Sequence, residues 1–531
     1  MLWVDPQSHT YYLDPVPGSQ AQRALSRGPW AWSRSKQGYS IPGFAVASYG
    51  VSPGSATPLP EGPSATPKPP APGWLDLAAL PLAEPLWPFQ AADVAQGFLG
   101  KRAWGEWAEC GLGKTLQALS AYWILKERGL VDGILVIGPE SARHGWIGPS
   151  SDSLQKFDLI GHLVDGKPLP RSGLIYCSVD KTWRPKYATE LLRRVKTGRW
   201  VLCIDEAHIC SPGSRRYTAV DLWASFCPYR WLLTGTPIAN YPDRFFAMWR
   251  LLTRNDCSYQ QWVEWFCKPD GTWHKQRLLW LQDYMKRISR VRTRQEVAPN
   301  LPQTTVRTIS VPLEGEQRLA YGELLRGAAV GQGGGSRMEW LGALAKLSSI
   351  CSHHELQEGD RRPSARVAKL DVLEGLLEGS GDAQVIIWSW HPATLDWLAR
   401  VLPCTSVVYH GGTSQGDREK AIQLFNSGQR RLFLGNPSAA GVGLNLPNAN
   451  IRVFWDADYS PVDCIQAAGR NERGLVHDPK IEYRLVARGT VEEHCWEAIA
   501  KKENLRALIL GGKQQPEIVG KGIMQRWRER G

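Results

Sequence analysis

The run AECGLGKT at residues 108–115 combines the residue types that bind phosphate. Backbone N–H groups around Gly111 and Gly113 can surround phosphate oxygens, and the helix expected to follow presents its positive dipole end. Lys114 is placed to reach the β and γ phosphates, and the hydroxyl of Thr115 can bind Mg²⁺. Alanine replaces the first glycine of the general pattern. The run therefore predicts a site for a nucleoside triphosphate.

A second motif, which is acidic, follows the apolar run WVLCI at residues 200–204. Such a run is typical of a buried parallel strand, and Asp205 would emerge at its carboxyl end, where ligands gather in α/β sheets. A carboxylate there can hold the metal, and Glu206 can orient or deprotonate the attacking water. His208 lies two residues further on and could sense the γ-phosphate. The alternative, a solvated loop after a strand, is disfavoured because the phosphate loop lies upstream in the expected order.

Two arginines near the carboxyl end offer positive charge for the same chemistry. In QAAGRNER at residues 466–473, Arg470 and Arg473 lie three residues apart on one helical face, with Gln466 one turn earlier. Guanidinium groups can neutralise charge on a γ-phosphate during transfer. In isolation the more common reading is a helix surface with two solvated arginines. The upstream run NPSAAGVGLNL at 436–446 favours the functional reading, because its glycines permit close backbone approach to a ligand or nucleic acid.

Strand and helix patterns predict an α/β protein with two tandem parallel-sheet lobes, a helical insertion and a small N-terminal β-rich module. Short apolar runs alternate with helical patterns in two separate regions, as expected for parallel sheets covered by helices. A stretch dense in Pro, Ser and Ala predicts a semi-extended linker, with a docking peptide as the alternative. The predicted segments are an aromatic β-rich module (1–50), a Pro-rich linker (51–75), lobe 1 (76–255), a helical inter-lobe insertion (256–365), lobe 2 (366–505) and a basic tail (506–531).

Composition restricts the class of protein. The 531 residues are too many for one hydrophobic core, and the net charge of +12 favours a polyanionic partner. The 11 cysteines form no Cys-x-x-Cys pair, which argues against a structural zinc site. We see no signal peptide and no apolar stretch that approaches 18 residues, so we expect no membrane contact. A cytoplasmic location is expected, or a nuclear one in a eukaryotic source.

With these motifs in order, the chain resembles a Swi/Snf-type ATPase of helicase superfamily two over residues 86 to about 505. The corresponding segments are LWPFQ at 86–90, GLGKT at 111–115, PESARHGW at 139–146, DEAH at 205–208, LTGTPI at 233–238, RQEV at 294–297, IWS at 387–389, HGGT at 410–413, QAAGRNER at 466–473 and GTVEE at 489–493. Gly474 begins a departure from the family's usual continuation after the second arginine. Compact spacing favours a bacterial or viral member over a chromatin remodeler.

The resemblance implies that the two predicted lobes are RecA-like, and it implies the remaining site residues. Gln90 would contact adenine of ATP, with Mg²⁺ as the metal, and Thr234 and Thr236 would join His208 in coupling hydrolysis to DNA. The implied DNA contacts are Ser141, Ser438, Gly441 and His410.

The expected activity is that of a DNA-dependent ATPase, which hydrolyses the β–γ phosphoanhydride bond to move along duplex or branched DNA as a monomer. Phosphate contacts without base readout would hold the DNA, and DNA repair, recombination or replication would be the setting. Two alternatives remain open at this point. One is a strand-separating helicase that acts on DNA or RNA, and the other is a non-enzymatic DNA-binding scaffold. The scaffold is disfavoured because Lys114, Asp205, Glu206, Arg470 and Arg473 are all present.

Overall fold

In the residues that it describes, a computed structural model shows three β-sheets, two of them parallel and flanked by helices. The chain divides into two compact units, here called the first lobe (Met1–Val297) and the second lobe (Ala298–Leu505). The structure describes residues 2–5, 10–13, 32–33, 38–42, 57–58, 77–148, 152–235, 237, 245–254, 257–267, 274–298, 304–330, 337–357, 363–439, 444, 446–458, 464, 467–469 and 479–510.

The amino-terminal part of the chain forms a small sheet, as predicted. Its strands are β1 (Leu2–Asp5), β2 (Thr10–Leu13), β3 (Trp32–Ser33), β4 (Gly38–Pro42) and β5 (Thr57–Pro58), in the order β3-β4-β2-β1-β5. All pairs are antiparallel except β1 with β5. The strand β5 lies inside the segment predicted to be only a linker. The sequence did not indicate this strand, because a two-residue edge strand needs no apolar run.

The first lobe contains a seven-stranded parallel sheet. Its strands are β6 (Ala103–Ala108), β7 (Gly133–Gly138), β8 (Gly161–Leu163), β9 (Gly173–Ser178), β10 (Trp200–Asp205), β11 (Tyr229–Leu233) and β12 (Ser289–Arg292), in the order β12-β6-β11-β10-β7-β9-β8. Every residue of β6, β7 and β10 is buried. Helices on both faces explain why these strands are buried throughout rather than alternating between buried and exposed residues.

The first lobe has ten helices in its described residues. They are α1 (Pro88–Asp93), α2 (Lys114–Glu127), α3 (Arg143–Ile147), α4 (Asp152–Gln155), α5 (Pro185–Thr197), α6 (Arg215–Ala224), α7 (Phe245–Thr253), α8 (Tyr259–Phe266), α9 (Lys275–Ile288) and α10 (Arg294–Val297). A π-helical turn, Val94–Leu99, continues α1. Proline at the first position of α1 suits a helix start, since the missing N–H has no partner there.

The second lobe contains a six-stranded parallel sheet. Its strands are β13 (Thr305–Val311), β14 (Val385–Trp388), β15 (Ser406–Tyr409), β16 (Leu432–Gly435), β17 (Ile451–Phe454) and β18 (Ile481–Ala487), in the order β13-β18-β17-β14-β16-β15. The helices of this lobe that the structure describes over at least ten residues are α11 (Gly315–Val330), α12 (Arg337–Ser352), α13 (Ala368–Gly379), α14 (Pro392–Val401), α15 (Gln415–Asn426) and α16 (Val491–Leu510).

The fold confirms two parallel-sheet lobes of RecA-like type, and it corrects one prediction. The segment 256–365 is not purely helical, because β12 is an edge strand of the first sheet and β13 an edge strand of the second. Edge strands tolerate polar side chains, so neither segment has the apolar run that marks a buried strand. The predicted basic tail also begins inside α16, and residues 511–531 lie outside the described part. Among the described residues, no helix has the length and apolar character needed to cross a membrane.

Candidate functional site

Three neighbouring strands of the first lobe end at the same edge of the sheet. In the sheet order, β11 lies between β6 and β10, and all three are parallel. The phosphate loop follows β6, Glu206 follows β10, and Thr234 follows β11. Parallel strands present their carboxyl ends together. The sequence-predicted loop, acidic pair and threonine are therefore brought together by strand order.

The phosphate loop depends on two glycines. Gly111 and Gly113 have φ angles of 86° and 79°, in the left-handed region that favours glycine. A Cβ atom at Gly113 would lie 2.4 Å from Nε2 of Gln90, so a side chain there would displace the Gln90 carboxamide. Lys114 begins α2, and its ammonium donates to the carbonyl of Ala108 at 2.7 Å. The lysine is thus held against the loop itself.

Gln90 joins α1 to the phosphate loop. Its Nε2 donates to the carbonyl of Leu112 at 3.2 Å, and its Oε1 accepts from the backbone N–H of Trp87 at 3.0 Å. This carboxamide is buried and oriented by both contacts. Its contact with adenine stays a prediction. Thr115, the second residue of α2, is half-buried next to Lys114.

Asp205 is buried at the end of β10 and has two donors. Its Oδ2 accepts from the indole N–H of Trp146 at 2.8 Å, and its Oδ1 accepts from the backbone N–H of Glu206 at 3.0 Å. Burial and the neighbouring Glu206 raise the pKa of Asp205 to about 6, although Trp146 and Lys114 act in the opposite direction. A carboxyl group in this state gains from a bound cation, which would favour the ionised form.

Trp146 was not among the predicted site residues. It is fully buried, and it lies 59 residues before its partner in the sequence. The segment that contains it was recognised only for its resemblance to a DNA-contacting motif. The indole N–H can only donate a hydrogen bond. Its contact with Oδ2 therefore holds this carboxylate oxygen of Asp205 in one direction.

Glu206 and His208 meet Thr234 in one hydrogen-bonded group. Glu206 has φ 50° and ψ 52°, a backbone conformation that costs energy for a residue other than glycine. The Thr234 hydroxyl donates to Oε2 of Glu206 at 3.3 Å, and Nδ1 of His208 lies 2.9 Å from the same hydroxyl oxygen. The end of β11 is therefore connected to the acidic motif. Thr236 lies outside the described residues.

A second acidic cluster lies in β6 and α1. Glu106 is buried in β6 and accepts from the indole N–H of Trp104 at 3.0 Å. Burial first, and then the charge of Asp93, raise the pKa of Glu106 to about 8. Asp93 itself receives two hydrogen bonds from the guanidinium of Arg292, at 2.7 and 2.8 Å. No pattern in the sequence indicated this cluster, because β12 was not predicted as a strand.

These residues fit a magnesium-bound nucleoside triphosphate. The loop supplies backbone donors and Lys114, and Gly113 has the positive φ angle that favours glycine. Thr115 and Asp205 are oxygen donors, the type of ligand that Mg²⁺ prefers. Burial and the adjacent Glu206 both raise the pKa of Asp205, and a bound cation would offset both effects.

The predicted second-lobe residues are only partly described. His410 follows β15, where its Nε2 lies 3.2 Å from Oδ1 of Asp396 and its Nδ1 accepts from the N–H of Gly412. Ser438 is exposed in the turn after β16.

In the first lobe, the predicted DNA contact Ser141 lies in a short 3₁₀ turn after β7. The contacts of His410, Ser438 and Ser141 with DNA stay predictions. The remaining predicted residues, Gly441, Gln466, Arg470 and Arg473, lie outside the described part.

Comparison with known families and proteins gives several matches. The SNF2-related domain matches residues 178–356, and the helicase conserved C-terminal domain matches residues 368–474. A probable chromatin-remodeling complex ATPase chain of Oryza sativa subsp. japonica is 27% identical over 435 residues, which are 76% of this chain and 38% of that protein. The DNA repair and recombination protein RAD54 of Saccharomyces cerevisiae is 25% identical over 482 residues, covering 77% of this chain and 53% of that protein.

The chain therefore spans about half or less of the length of these curated relatives. Among solved structures, the Sulfolobus solfataricus SWI2/SNF2 ATPase core in complex with dsDNA aligns with a TM-score of 0.39 and 22% identity, covering 83% of this chain and 95% of that one. The SNF2-related match spans the end of the first lobe and the beginning of the second, and the helicase conserved C-terminal match lies in the second lobe. The chain therefore contains an SNF2-related domain followed by a helicase conserved C-terminal domain, and it is similar in sequence to Swi/Snf-type ATPases.

Proposed function

We propose that this protein is a DNA-dependent ATPase that couples ATP hydrolysis to movement along duplex DNA. The observation that carries the proposal is the convergence of Lys114, Asp205, Glu206 and Thr234 at the ends of three adjacent strands. That group contains a phosphate-binding cation, a metal-binding carboxylate and a base for water, held in one lobe. The family relationship favours ATP as the nucleotide and DNA as the activator.

Each residue has a distinct task in this proposal. Lys114 leaves its loop carbonyl to pair with the β and γ phosphates, and Glu206 orients the attacking water or accepts its proton. Mg²⁺, held by Thr115 and Asp205, would neutralise negative charge on the phosphates. Trp146 keeps one oxygen of Asp205 in a fixed direction. Arg470 and Arg473 would add positive charge at the γ-phosphate, a role assigned from the sequence.

Coupling to DNA is proposed to pass through Thr234 and His208. The Thr234 hydroxyl contacts the carboxylate of Glu206, so a shift at the end of β11 changes the position of the base. The predicted residue Thr236 follows in the same segment. This arrangement gives a physical route by which bound DNA could accelerate hydrolysis.

The test is ATP turnover measured without nucleic acid and then with single strands, blunt duplex and forked DNA. We expect the largest stimulation with duplex DNA. Lys114→Ala should lose DNA-stimulated turnover and retain DNA binding, because the lysine acts on phosphate and not on DNA. Lys126→Ala is the matched control, since this lysine is exposed in the last turn of the same helix.

The outcomes separate the alternatives. Unchanged turnover in Lys114→Ala would remove the mechanism, and DNA binding without any turnover would favour a scaffold. Equal stimulation by RNA, or strand separation on forked DNA, would favour a true helicase.

A further inference from the structure

A buried ion pair crosses two strands of the second lobe. Arg452 on β17 and Glu482 on β18 are directly paired in the strand register. Both residues are almost fully buried, and Nε of Arg452 lies 2.8 Å from Oε2 of Glu482. Both strands lie inside the sheet, where an apolar residue is the ordinary choice. The pair therefore needs an explanation beyond strand formation.

Stability alone does not supply that explanation. A buried ion pair loses hydration that its mutual attraction often fails to restore, and apolar pairs of similar volume are commonly as stable or more stable. Glu482 receives a second guanidinium, because Nε of Arg484 lies 2.6 Å from Oε1. Burial would raise the pKa of Glu482, but Arg452 and Arg484 hold the pKa below its usual range. The carboxylate is thus a fixed anion that orients Arg452.

The other end of the Arg452 guanidinium makes a contact with a functional segment. Its Nη1 donates to the backbone carbonyl of Ala468 at 2.8 Å. Ala467 and Gly469 on either side of this carbonyl are buried, and Ala467 belongs to the apolar cluster on the same side of the sheet as Phe454. Arg470 follows Ala468 by two residues in the sequence.

We propose that Arg452 is a positioning residue for ATP hydrolysis, which holds the backbone that leads into Arg470. The planar guanidinium connects Glu482 with the Ala468 carbonyl, so the strand pair sets the position of that carbonyl. A small displacement of a group that acts at the γ-phosphate costs much of its catalytic effect. The inference rests on the proposed function, since it assigns Arg470 to the phosphate.

The test compares variants of the full chain in duplex-stimulated ATP turnover. The double variant Arg452→Val with Glu482→Val replaces the charged pair by an apolar pair. It leaves no buried charge at either position. We expect kcat to fall about tenfold or more, with KM for ATP within about twofold, because the nucleotide is held by the first lobe. Arg452→Lys keeps a cation near Glu482 but lacks the planar fork, so we expect normal folding and a low kcat.

Arg484→Gln is the matched control. It removes the second guanidinium from Glu482 and leaves the bond between Arg452 and Ala468, so kcat should stay within about twofold of the unmodified protein. Thermal melting and nucleotide affinity of every variant show whether each one folds. If the double variant does not fold, Arg452→Lys decides the question. A low kcat with a normal melting temperature supports the inference, and a normal kcat overturns it.

A further variant, Arg470→Ala, links the two proposals. If Arg452 acts through Arg470, the valine pair should cause no additional loss in the Arg470→Ala background. Loss of turnover in Arg470→Ala, together with normal kcat in the valine pair, overturns only the positioning role. Normal turnover in Arg470→Ala overturns the assignment of that arginine and the positioning role with it. An equal loss in Arg484→Gln would also contradict the inference.

Discussion

The buried acidic residues of the two lobes have opposite surroundings. Asp205 in the first lobe is buried beside Glu206, and burial together with this neighbour raises its pKa to about 6. Glu482 in the second lobe is contacted by Arg452 and Arg484, and its pKa is lowered. In the first lobe, the protein leaves negative charge only partly compensated, where a cation is proposed to bind. In the second, it balances the charge internally and uses the ion pair to fix a backbone segment.

The same contrast indicates where stability and function conflict. Acidic residues in like-charged, buried surroundings destabilise the folded state when ionised, and they are common at functional sites. Buried acidic residues that are paired with arginines, such as Glu482, instead have a structural role. The predictions below alter one side of this comparison at a time.

The largest effect is expected from Glu206→Gln. The amide keeps the shape of the side chain but cannot accept a proton, so duplex-stimulated kcat should fall by about 10²- to 10⁴-fold. Binding of ATP should change little, because Lys114 and the loop remain. Steady-state turnover and equilibrium binding of a fluorescent nucleotide measure the two quantities. If kcat falls less than about threefold, Glu206 is not the base.

Trp146→Phe should have an intermediate effect. The change removes the donor to Oδ2 of Asp205 while it keeps an aromatic ring, and we expect about a tenfold fall in kcat at neutral pH. The indole lowers the pKa of Asp205, so its loss should raise that pKa further. The ionised form is needed for Mg²⁺, and the acid limb of the pH–rate profile should therefore move to higher pH.

The control for this prediction is Trp183→Phe, at an exposed tryptophan outside the network. It should change neither kcat nor the pH profile. An acid limb that stays in place in Trp146→Phe would show that the indole only fills space.

A smaller effect, on stability rather than turnover, is expected from Glu106→Gln. Because the folded-state pKa is raised from 4.5 to about 8, the folded protein retains this proton where the unfolded chain has lost it. Its contribution to stability is complete below pH 4.5 and declines as pH rises toward 8, by about 1.4 kcal/mol per pH unit. Gln does not titrate, so the variant should be more stable than the unmodified protein at pH 8.

Thermal melting between pH 6 and 9 measures this difference, with Glu127→Gln at an exposed helix position as the control. Equal pH dependence in Glu106→Gln and the unmodified protein would show that Glu106 is ionised in the fold.

The sequence was informative where chemistry depends on local order. The phosphate loop, Asp205 and Glu206 follow apolar strands directly, and the parallel arrangement of those strands places them together. Residues that act through register were not predictable in this way. Arg452 and Glu482 are 30 residues apart, and the partners Trp146 and Asp205 are 59 apart. The edge strand β12 lacks an apolar run, so the contact between Arg292 and Asp93 also remained hidden.

The central claim is tested most directly with a DNA triplex, in which a third strand is bound to a blunt-ended duplex. The assay measures displacement of that third strand. A protein that moves along duplex DNA removes the third strand without separating the duplex. We predict ATP-dependent displacement by the unmodified protein and none by Lys114→Ala or Glu206→Gln. Rapid duplex-stimulated ATP hydrolysis with no displacement of the third strand would contradict coupling of this site to movement on DNA.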